Sequence, residues 1–219
     1  MQSDAPLHGS EPGPEPGLGF ERLVFFSDAV FAIGITLLVL DLKLPLDAHG
    51  EVDLDRLAPK LLGFVISFMV TGLYWLAHHR LFETLRDQDG LLRGVNLIYL
   101  ACVVFLAFPS SVVTEHPTAT WAVIFYALSF AATGLIHVVL VLVARRPALI
   151  RAGETTGGTA SMAIRALGAP LTFIATTFVA LERPLLAAQL WMVLPLTIRL
   201  AGLVGRTAGR AIDKPVTGP

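Results

Sequence analysis

Three polar side chains stand out in the first long apolar stretch of the chain, which runs from Arg22 to Pro45. Arg22 and Asp28 lie six residues apart near its start, and Thr36 lies near its middle. Charged groups this close to membrane hydrocarbon usually face the inside of a helix bundle or a water-filled cavity, because contact with lipid is costly. The stretch therefore predicts a helix that lines a hydrated space, with chemistry suited to ion pairing or ion passage.

The composition assigns the chain to the integral membrane proteins. Of its 219 residues, 54% are hydrophobic and 15% are charged, and the mean hydropathy of +0.69 exceeds that of ordinary water-soluble domains. The net charge of -1 gives no electrostatic basis for binding nucleic acid. Since Cys102 is the only cysteine, a disulfide within one chain and a metal site built from cysteines are both excluded.

Hydrophobic runs of about 20 residues, long enough to cross a bilayer, predict an all-α polytopic fold with six transmembrane helices per subunit. The predicted spans are residues 24–44, 59–81, 91–114, 119–144, 160–182 and 184–204. Arg165, Pro195 and Arg199 interrupt the last two spans, so a re-entrant or tilted pair is an alternative there. We expect a disordered tail at 1–20, one six-helix domain at 21–205 and a flexible tail at 206–219.

The distribution of charge predicts the orientation. Twelve Lys and Arg residues fall on the side that holds both chain ends, and four fall on the other side. The positive-inside rule therefore places both termini in the cytoplasm. The opposite, outer side carries an excess of acidic residues, namely Asp41, Asp47, Glu51, Asp53 and Asp55. These carboxylates either raise the local cation concentration within ~8 Å or only solvate the loop.

Helical projection of the first span, at about 100° per residue, predicts a narrow apolar stripe with one hydroxyl group. Its members are Ala29, Ile33, Thr36, Leu37, Leu40 and Leu44. Asp28 lies beside this stripe, so we expect its carboxylate to contact a neighbouring helix rather than the centre of a lumen. Ile and Leu at this spacing also fit a lipid-facing or bundle-core surface, and projection alone does not separate these interpretations.

The polar residues of this span resemble a known family. Arg22, Phe26, Ser27 and Asp28 reproduce the R-x-x-x-F-S-D signature of the transmembrane protein 175 potassium channels. The following AVFAIGITLLVLDLKLP is similar to the first helix of that family. Further similarity lies in the second and third helices, at Tyr74, Trp75, His78, His79, Arg80, Phe82, Asn96, Phe108 and Pro109. The similarity is strong over roughly residues 20–110 and only compositional beyond.

This resemblance implies a potassium-selective channel of the prokaryotic single-repeat type, located in the cell membrane. It implies a homotetramer around four copies of helix 1, with a pore lined by that helix and no TVGYG-type filter. Carried over by position, Ile33, Leu37 and Leu40 form the hydrophobic constriction, and Thr36 supplies a pore hydroxyl that contributes to selectivity. The implied partners are the lipid bilayer and monovalent cations, with potassium as the permeant ion and no cofactor.

A polar network is expected to hold the pore helix in place. Arg22 and Asp28 pair in this interpretation, either directly or through His78, His79 and Asn96 on neighbouring helices. Consecutive histidines point about 100° apart on a helix and lack the i, i+4 spacing of zinc helices, which disfavours a metal site. His137 is expected to form a helix-to-helix hydrogen bond, and the run Gly153–Gly158 to form a flexible loop.

Other functional classes remain as alternatives. A proton-permeable or proton-coupled cation pathway is the main one, because Asp28, His78 and His137 can titrate. A secondary transporter is disfavoured, since the six spans show neither two similar halves nor interrupted helix pairs. An enzyme is not expected, because Ser27 beside Asp28 lacks the glycine-flanked elbow of hydrolases.

Overall fold

The computed structural model describes residues 17–40, 42–151 and 156–212, and it is all-helical. The α-helices of these residues are α1 Leu18–Leu40, α2 Leu54–Glu83, α3 Gly90–Phe105, α4 Ala107–Glu115, α5 Thr120–Ala144, α6 Thr156–Ala166, α7 Gly168–Glu182, α8 Pro184–Leu190 and α9 Leu194–Ile212. A 3-10 turn, Trp191–Val193, joins α8 to α9. Within the described ranges, β pairing is limited to isolated bridges such as that between Leu46 and Val52.

These helices form six apolar spans long enough to cross a membrane, which confirms the predicted fold class. The spans are Leu18–Leu40, Leu54–Glu83, Gly90–Glu115, Thr120–Ala144, Ala160–Glu182 and Pro184–Ala208. The chain is therefore an integral membrane protein. The turn between the last two spans is tight, because Arg183 alone separates α7 from α8. Its non-helical backbone, with φ -141° and ψ 78°, ends α7 at the residue before Pro184.

The third, fifth and sixth spans are not continuous helices, and for the last two the sequence had already offered a re-entrant or tilted pair as an alternative. The breaks lie at Leu106 and Leu167, each three residues before a proline, and at Trp191–Val193, which lie two to four residues before Pro195. Proline lacks an N–H and its ring crowds the carbonyl four residues earlier, so the helix tightens or kinks there. Leu106 and Leu167 nevertheless keep right-handed helical dihedrals. The breaks are therefore kinks and not the unwound segments from which transporters build binding sites.

Helix ends differ from the sequence-based limits in several places. Helix α1 begins at Leu18, inside the segment 1–20 expected as a tail, because Phe20 is buried and stacks on Phe82. It ends at Leu40, so Leu44 is not on the predicted helical stripe. Helix α9 continues to Ile212, past the expected limit of 205. Helix α6 begins at Thr156, within the run 153–158 expected as a loop. Residues 153–155 of that run, residues 1–16 and 213–219 of the two expected tails, and Asp41 lie outside the described residues.

Helix α5 is the centre of the subunit. It contacts α2, α3, α4, α6, α7 and α8, whereas the main contacts of α1 are with α2, α3 and α4. The core beside α5 is aromatic, with ring centroids of Tyr126 and Trp191 separated by 4.3 Å and those of Phe130 and Phe173 by 5.3 Å. Helix α1 is thus a peripheral element of its own subunit, held along one face.

Candidate functional site

Helix α1 has one face on the subunit core and one face away from it. Ser27, Phe31, Gly34 and Leu38 are buried, and a β carbon at Gly34 would lie 3.8 Å from Val103 of α3. These residues recur at intervals of three and four, as one face of an α-helix requires. The buried face therefore fixes which side of α1 the subunit leaves uncovered.

The predicted pore residues lie on the uncovered side. Ile33 is 59% exposed and Leu40 is 71% exposed, Thr36 is also exposed, and Leu37 is half-buried at the edge. In a membrane protein such exposure means contact with lipid, with another subunit or with an aqueous pore. The structure therefore places the four predicted pore residues on one surface. All three environments are compatible with the exposure of that surface.

The hydroxyl of Thr36 donates a hydrogen bond to the carbonyl oxygen of Ile33, at 2.8 Å. Because the proton is used within the helix, the oxygen lone pairs of Thr36 remain on the uncovered side. This side chain can therefore accept a hydrogen bond from water or contact a cation without first losing another partner.

A buried chain of hydrogen bonds joins the first three spans. The Nε2 atom of His78 donates to Oδ1 of Asn96 at 2.8 Å, and Nδ2 of Asn96 donates to Oγ of Ser27 at 3.0 Å. Ser27 in turn donates to the carbonyl oxygen of Leu23 at 2.8 Å. We call this the Ser27–Asn96–His78 chain. It brings together three of the predicted network residues, each fully or almost fully buried.

Aromatic rings enclose the His78 end of this chain. The imidazole stacks on Phe82 with a centroid separation of 4.3 Å, and Tyr99 and Phe31 lie at 5.7 Å and 5.5 Å. These rings hold the imidazole in one orientation. Because Asn96 Oδ1 can only accept a hydrogen bond, the imidazole proton that faces it lies on Nε2. The role supported for His78 is to position α1 on α2 and α3.

The predicted direct pair between Arg22 and Asp28 is wrong. The carboxylate of Asp28 accepts a hydrogen bond from the indole Nε1 of Trp75, at 2.9 Å. Arg22 forms no ion pair in the part of the chain that the structure describes. The physical reason is helical geometry, since residues six apart differ by about 240° around the axis and about 9 Å along it.

The remaining signature residues lie outside the buried chain. His79 stacks on Trp75 with a centroid separation of 5.4 Å, and its Nε2 lies 3.4 Å from a carboxylate oxygen of Glu83. Phe26 is 50% exposed, and Arg22 is exposed. Trp75 was noted in the sequence only for its resemblance. An indole N–H near the membrane interior needs an acceptor, which marks Trp75 as a polar contact of α2 but does not identify Asp28 as its partner.

The acidic side chains of the outer loop are partly used in local structure. Oδ1 of Asp47 accepts the backbone N–H groups of His49 and Glu51, at 2.8 Å and 2.9 Å. Asp53 caps α2 and pairs with Arg56 at 3.1 Å. These contacts account for the turn between the first two spans, in which Gly50 alone adopts a positive φ of 81° among the described residues.

The ring of His137 contacts the backbone of Ala77 on α2, in agreement with the predicted helix-to-helix hydrogen bond, and this contact does not involve Nε2. This atom is buried and has no hydrogen-bond partner among the described residues. The ring packs against Tyr99, with a centroid separation of 5.3 Å.

Known proteins resemble this region in sequence and most of the chain in fold. The family described as endosomal/lysosomal potassium channel TMEM175 matches residues 22–107. A protein of Streptomyces collinus named a potassium channel is 38% identical over 98 residues, which are 43% of this chain and 48% of that protein. A potassium channel of Chamaesiphon minutus is 37% identical over 123 residues, which are 52% of this chain and 61% of that protein. The matched region thus spans about half to three fifths of these relatives.

Animal proteins and a solved structure extend the comparison. The human endosomal/lysosomal proton channel TMEM175 is 25% identical over 126 residues, 55% of this chain and 25% of that protein. The crystal structure of a lysosomal potassium-selective channel TMEM175 homologue from Chamaesiphon minutus superposes with a TM-score of 0.72 and 26% identity. That match covers 85% of this chain and 99% of the solved chain. The sequence match thus covers residues 22–107 and the fold match covers 85% of this chain, so the chain is similar to the TMEM175 family in both sequence and fold.

Proposed function

We propose that the chain is the subunit of a potassium-selective cation channel, and that four copies of α1 surround its pore. The observation that carries the proposal is the uncovered face of α1, where Ile33 and Leu40 point away from the core of their own subunit. The bacterial relatives are named potassium channels, which supports potassium as the permeant ion. The proposal places the channel in a prokaryotic cell membrane with both termini in the cytoplasm.

The proposed mechanism uses hydrophobic constriction. Rings of Ile33, Leu37 and Leu40 narrow the lumen, and because they carry no charge, an ion that passes them must shed part of its hydration shell. Potassium holds its water less tightly than sodium, so the barrier is lower for potassium. A layer of Thr36 hydroxyl groups replaces some of the lost water, since their lone pairs are uncommitted. Selectivity of this kind is modest compared with that of a carbonyl filter.

Planar bilayers with purified protein, under asymmetric potassium and sodium, test the proposal. We expect discrete unitary currents that reverse near the potassium potential. Ile33→Ala widens the constriction and should raise unitary conductance about two-fold or more, and Thr36→Ala should lower the potassium to sodium permeability ratio. Saturable flux without unitary events would instead indicate a carrier.

Leu171→Ala is the matched control for Ile33→Ala, because Leu171 on α7 is 57% exposed and Ile33 is 59% exposed. The control should leave conductance and reversal potential unchanged. Equal behaviour of Ile33→Ala, Thr36→Ala and Leu171→Ala would overturn the assignment of the pore to this face of α1.

A proton-permeable channel is the second candidate. The observation that favours it is the name of the animal relatives, which are proton channels. The same bilayers under a pH gradient with symmetric potassium separate the two functions, since only a proton pathway shifts the reversal potential toward the proton potential.

A further inference from the structure

A cavity of about 280 Å³ lies between α2, α5, α6, α7 and α9, and no residue of α1 lines it. Three arginines line it, each from a different helix: Arg80 from α2, Arg165 from α6 and Arg199 from α9. All three belong to the side that the charge distribution assigns to the cytoplasm. The proposed pore does not involve this cavity.

The arginines are not neutralised by acidic side chains of the described residues. The ion pairs there involve Arg56, His79 and Arg146, and none involves Arg80, Arg165 or Arg199. The charged groups nearest to Arg165 are further arginines, Arg80 and Arg206. Arg80 and Arg199 are exposed, whereas Arg165 is half-buried. Several positive charges close together at the edge of apolar spans raise the free energy of the folded protein, because they repel one another and are partly desolvated. A bound anion would lower this free energy.

Packing holds Arg165 in this arrangement. Its side chain lies along Gly202 of α9, where a β carbon would be 3.5 Å from its Cδ. The small residue lets the two helices approach and directs the arginine stem across the contact. The guanidinium is therefore placed by helix packing and is not a freely moving surface group.

A second polar group marks the inner end of the cavity. His137 is 4% exposed and lines the same cavity, and its Nε2 has no hydrogen-bond partner among the described residues. Buried polar atoms in folded proteins are nearly always paired. Because the ring hydrogen-bonds the Ala77 backbone through its other nitrogen, Nε2 of the neutral imidazole can accept a hydrogen bond from a headgroup hydroxyl. The remaining walls are apolar and include Leu73, Leu76, Met162 and Ile198.

We propose that this cavity binds the phosphate headgroup of an anionic phospholipid from the cytoplasmic leaflet. Arginine forks bind phosphate oxygens in a bidentate manner, and basic pockets between transmembrane helices suit anionic headgroups. A soluble phosphate ester shares the charge and the acceptor oxygens. The lipid is favoured because the cavity is walled by apolar side chains and lies within membrane-spanning helices. The inference does not depend on which ion the channel conducts.

The test uses the purified full-length protein in a neutral detergent. Phosphatidylglycerol, phosphatidylcholine and soluble glycerol 3-phosphate are added in separate titrations, and thermal unfolding and native mass spectrometry are the readouts. We expect phosphatidylglycerol to raise the unfolding temperature and to remain bound, and the other two to do neither at equal concentration. An equal shift with phosphatidylcholine would overturn the headgroup assignment, and an equal shift with glycerol 3-phosphate would overturn the lipid assignment.

Variants locate the site. The double variant Arg165→Gln with Arg199→Gln should weaken phosphatidylglycerol binding at least ten-fold. Arg183→Gln is the matched control, because Arg183 is exposed and lies at the opposite end of α7, and it should bind as the wild type does. If the double variant does not fold, the single variant Arg80→Gln replaces it, since Arg80 is an exposed cavity residue. Unchanged phosphatidylglycerol binding in the folded variant would overturn the proposal.

Discussion

At the scale of single residues, Asp28 illustrates how a charge is kept at the edge of hydrocarbon. Its partner is a neutral donor, the indole N–H of Trp75, which lies on the adjacent helix α2. A hydrogen bond to a charged group contributes more than one between neutral groups. The pair therefore fixes the rotation of α1 about its own axis, and with it the direction in which Ile33 and Thr36 face.

We predict that Asp28 and Trp75 are energetically coupled. Asp28→Ala and Trp75→Phe each remove the bond and should each cost about 1.5–3 kcal/mol, whereas the double variant should cost much less than their sum. Asp28→Asn keeps an acceptor oxygen and should lose less than Asp28→Ala. Unfolding titrations with a denaturing detergent measure the four free energies, and strictly additive losses would contradict the coupling.

The sequence predicted which polar residues form hydrogen bonds better than it predicted the partner of each residue. The sequence places four polar residues inside apolar spans, where polar side chains need hydrogen-bond or ion-pair partners. These residues are Ser27, Asp28, His78 and Asn96. Their actual partners depend on how far each helix is rotated and shifted against its neighbours. Hydropathy and spacing within one helix contain no information on that rotation, so the Asp28 to Trp75 bond was missed.

At the scale of helices, close packing depends on small residues at a few contacts. Gly134 of α5 is the clearest case, because a β carbon there would lie 2.9 Å from Cδ of Pro170 and 3.0 Å from the hydroxyl oxygen of Tyr74. The hydroxyl of Tyr74 in turn donates to the carbonyl oxygen of Phe130 at 2.6 Å. Helices α2, α5 and α7 therefore meet at a point with no space for a methyl group.

We predict that Gly134→Ala destabilises the protein by about 1–3 kcal/mol, the usual cost of inserting a methyl group into a packed core. Gly72→Ala is the control, because a β carbon at Gly72 has no heavy atom within 4 Å. That change should be neutral or stabilising by up to about 1 kcal/mol, as expected of Gly→Ala inside a helix. Thermal unfolding of both variants in one detergent measures the difference, and equal losses would refute the close contact.

The link between α3 and α5 should depend on pH. Asp89 caps α3 by accepting the N–H of Leu92 at 2.8 Å and forms a two-point ion pair with Arg146 at the end of α5. These two partners, the Leu92 N–H first and the Arg146 guanidinium second, hold the pKa of Asp89 below its usual value. Because the pKa is lower in the folded state, the ionised carboxylate stabilises the folded protein at pH values above the unfolded-state pKa of about 3.9. This stabilisation is lost as the pH falls below that value.

We therefore expect Asp89→Asn, which retains a capping side chain, to be less stable than the wild type by a constant margin from pH 7 down to about pH 4.5. Below about pH 4 the margin should shrink as the wild-type carboxylate becomes protonated. Unfolding temperatures across this range provide the check. A margin that stays constant down to pH 2.5 would show that the charge of Asp89 makes no contribution.

The sequence predicted the number and type of helices because an apolar run of bilayer length has few other structures available. It predicted their ends less well. Phe20 extends α1 through contact with Phe82 on another helix, and such a contact does not appear in a hydropathy window. The prolines at 109, 170 and 195 were visible in the sequence, and their kinks could have been anticipated from the missing N–H.

At the scale of the whole molecule, the uncovered face of α1 is the feature that one subunit does not explain. A single copy encloses no lumen along Ile33, Thr36 and Leu40, because α1 contacts its neighbours only through its opposite face. A closed ring of identical subunits would bring these side chains together around an axis. The mass expected for four chains of 23.5 kDa each is about 94 kDa.

We predict that cysteines placed on this face cross-link neighbouring subunits. In a Cys102→Ala background, Ile33→Cys should form disulfide-linked dimers under mild oxidation, because copies near a shared axis bring α carbons within the roughly 7 Å that a disulfide allows. Leu171→Cys has nearly the same exposure, 57% against 59%, but lies on α7 and should remain monomeric on a denaturing gel. Cross-linking at Leu171 and none at Ile33 would mean that α7 lies at the subunit contact and that α1 faces lipid.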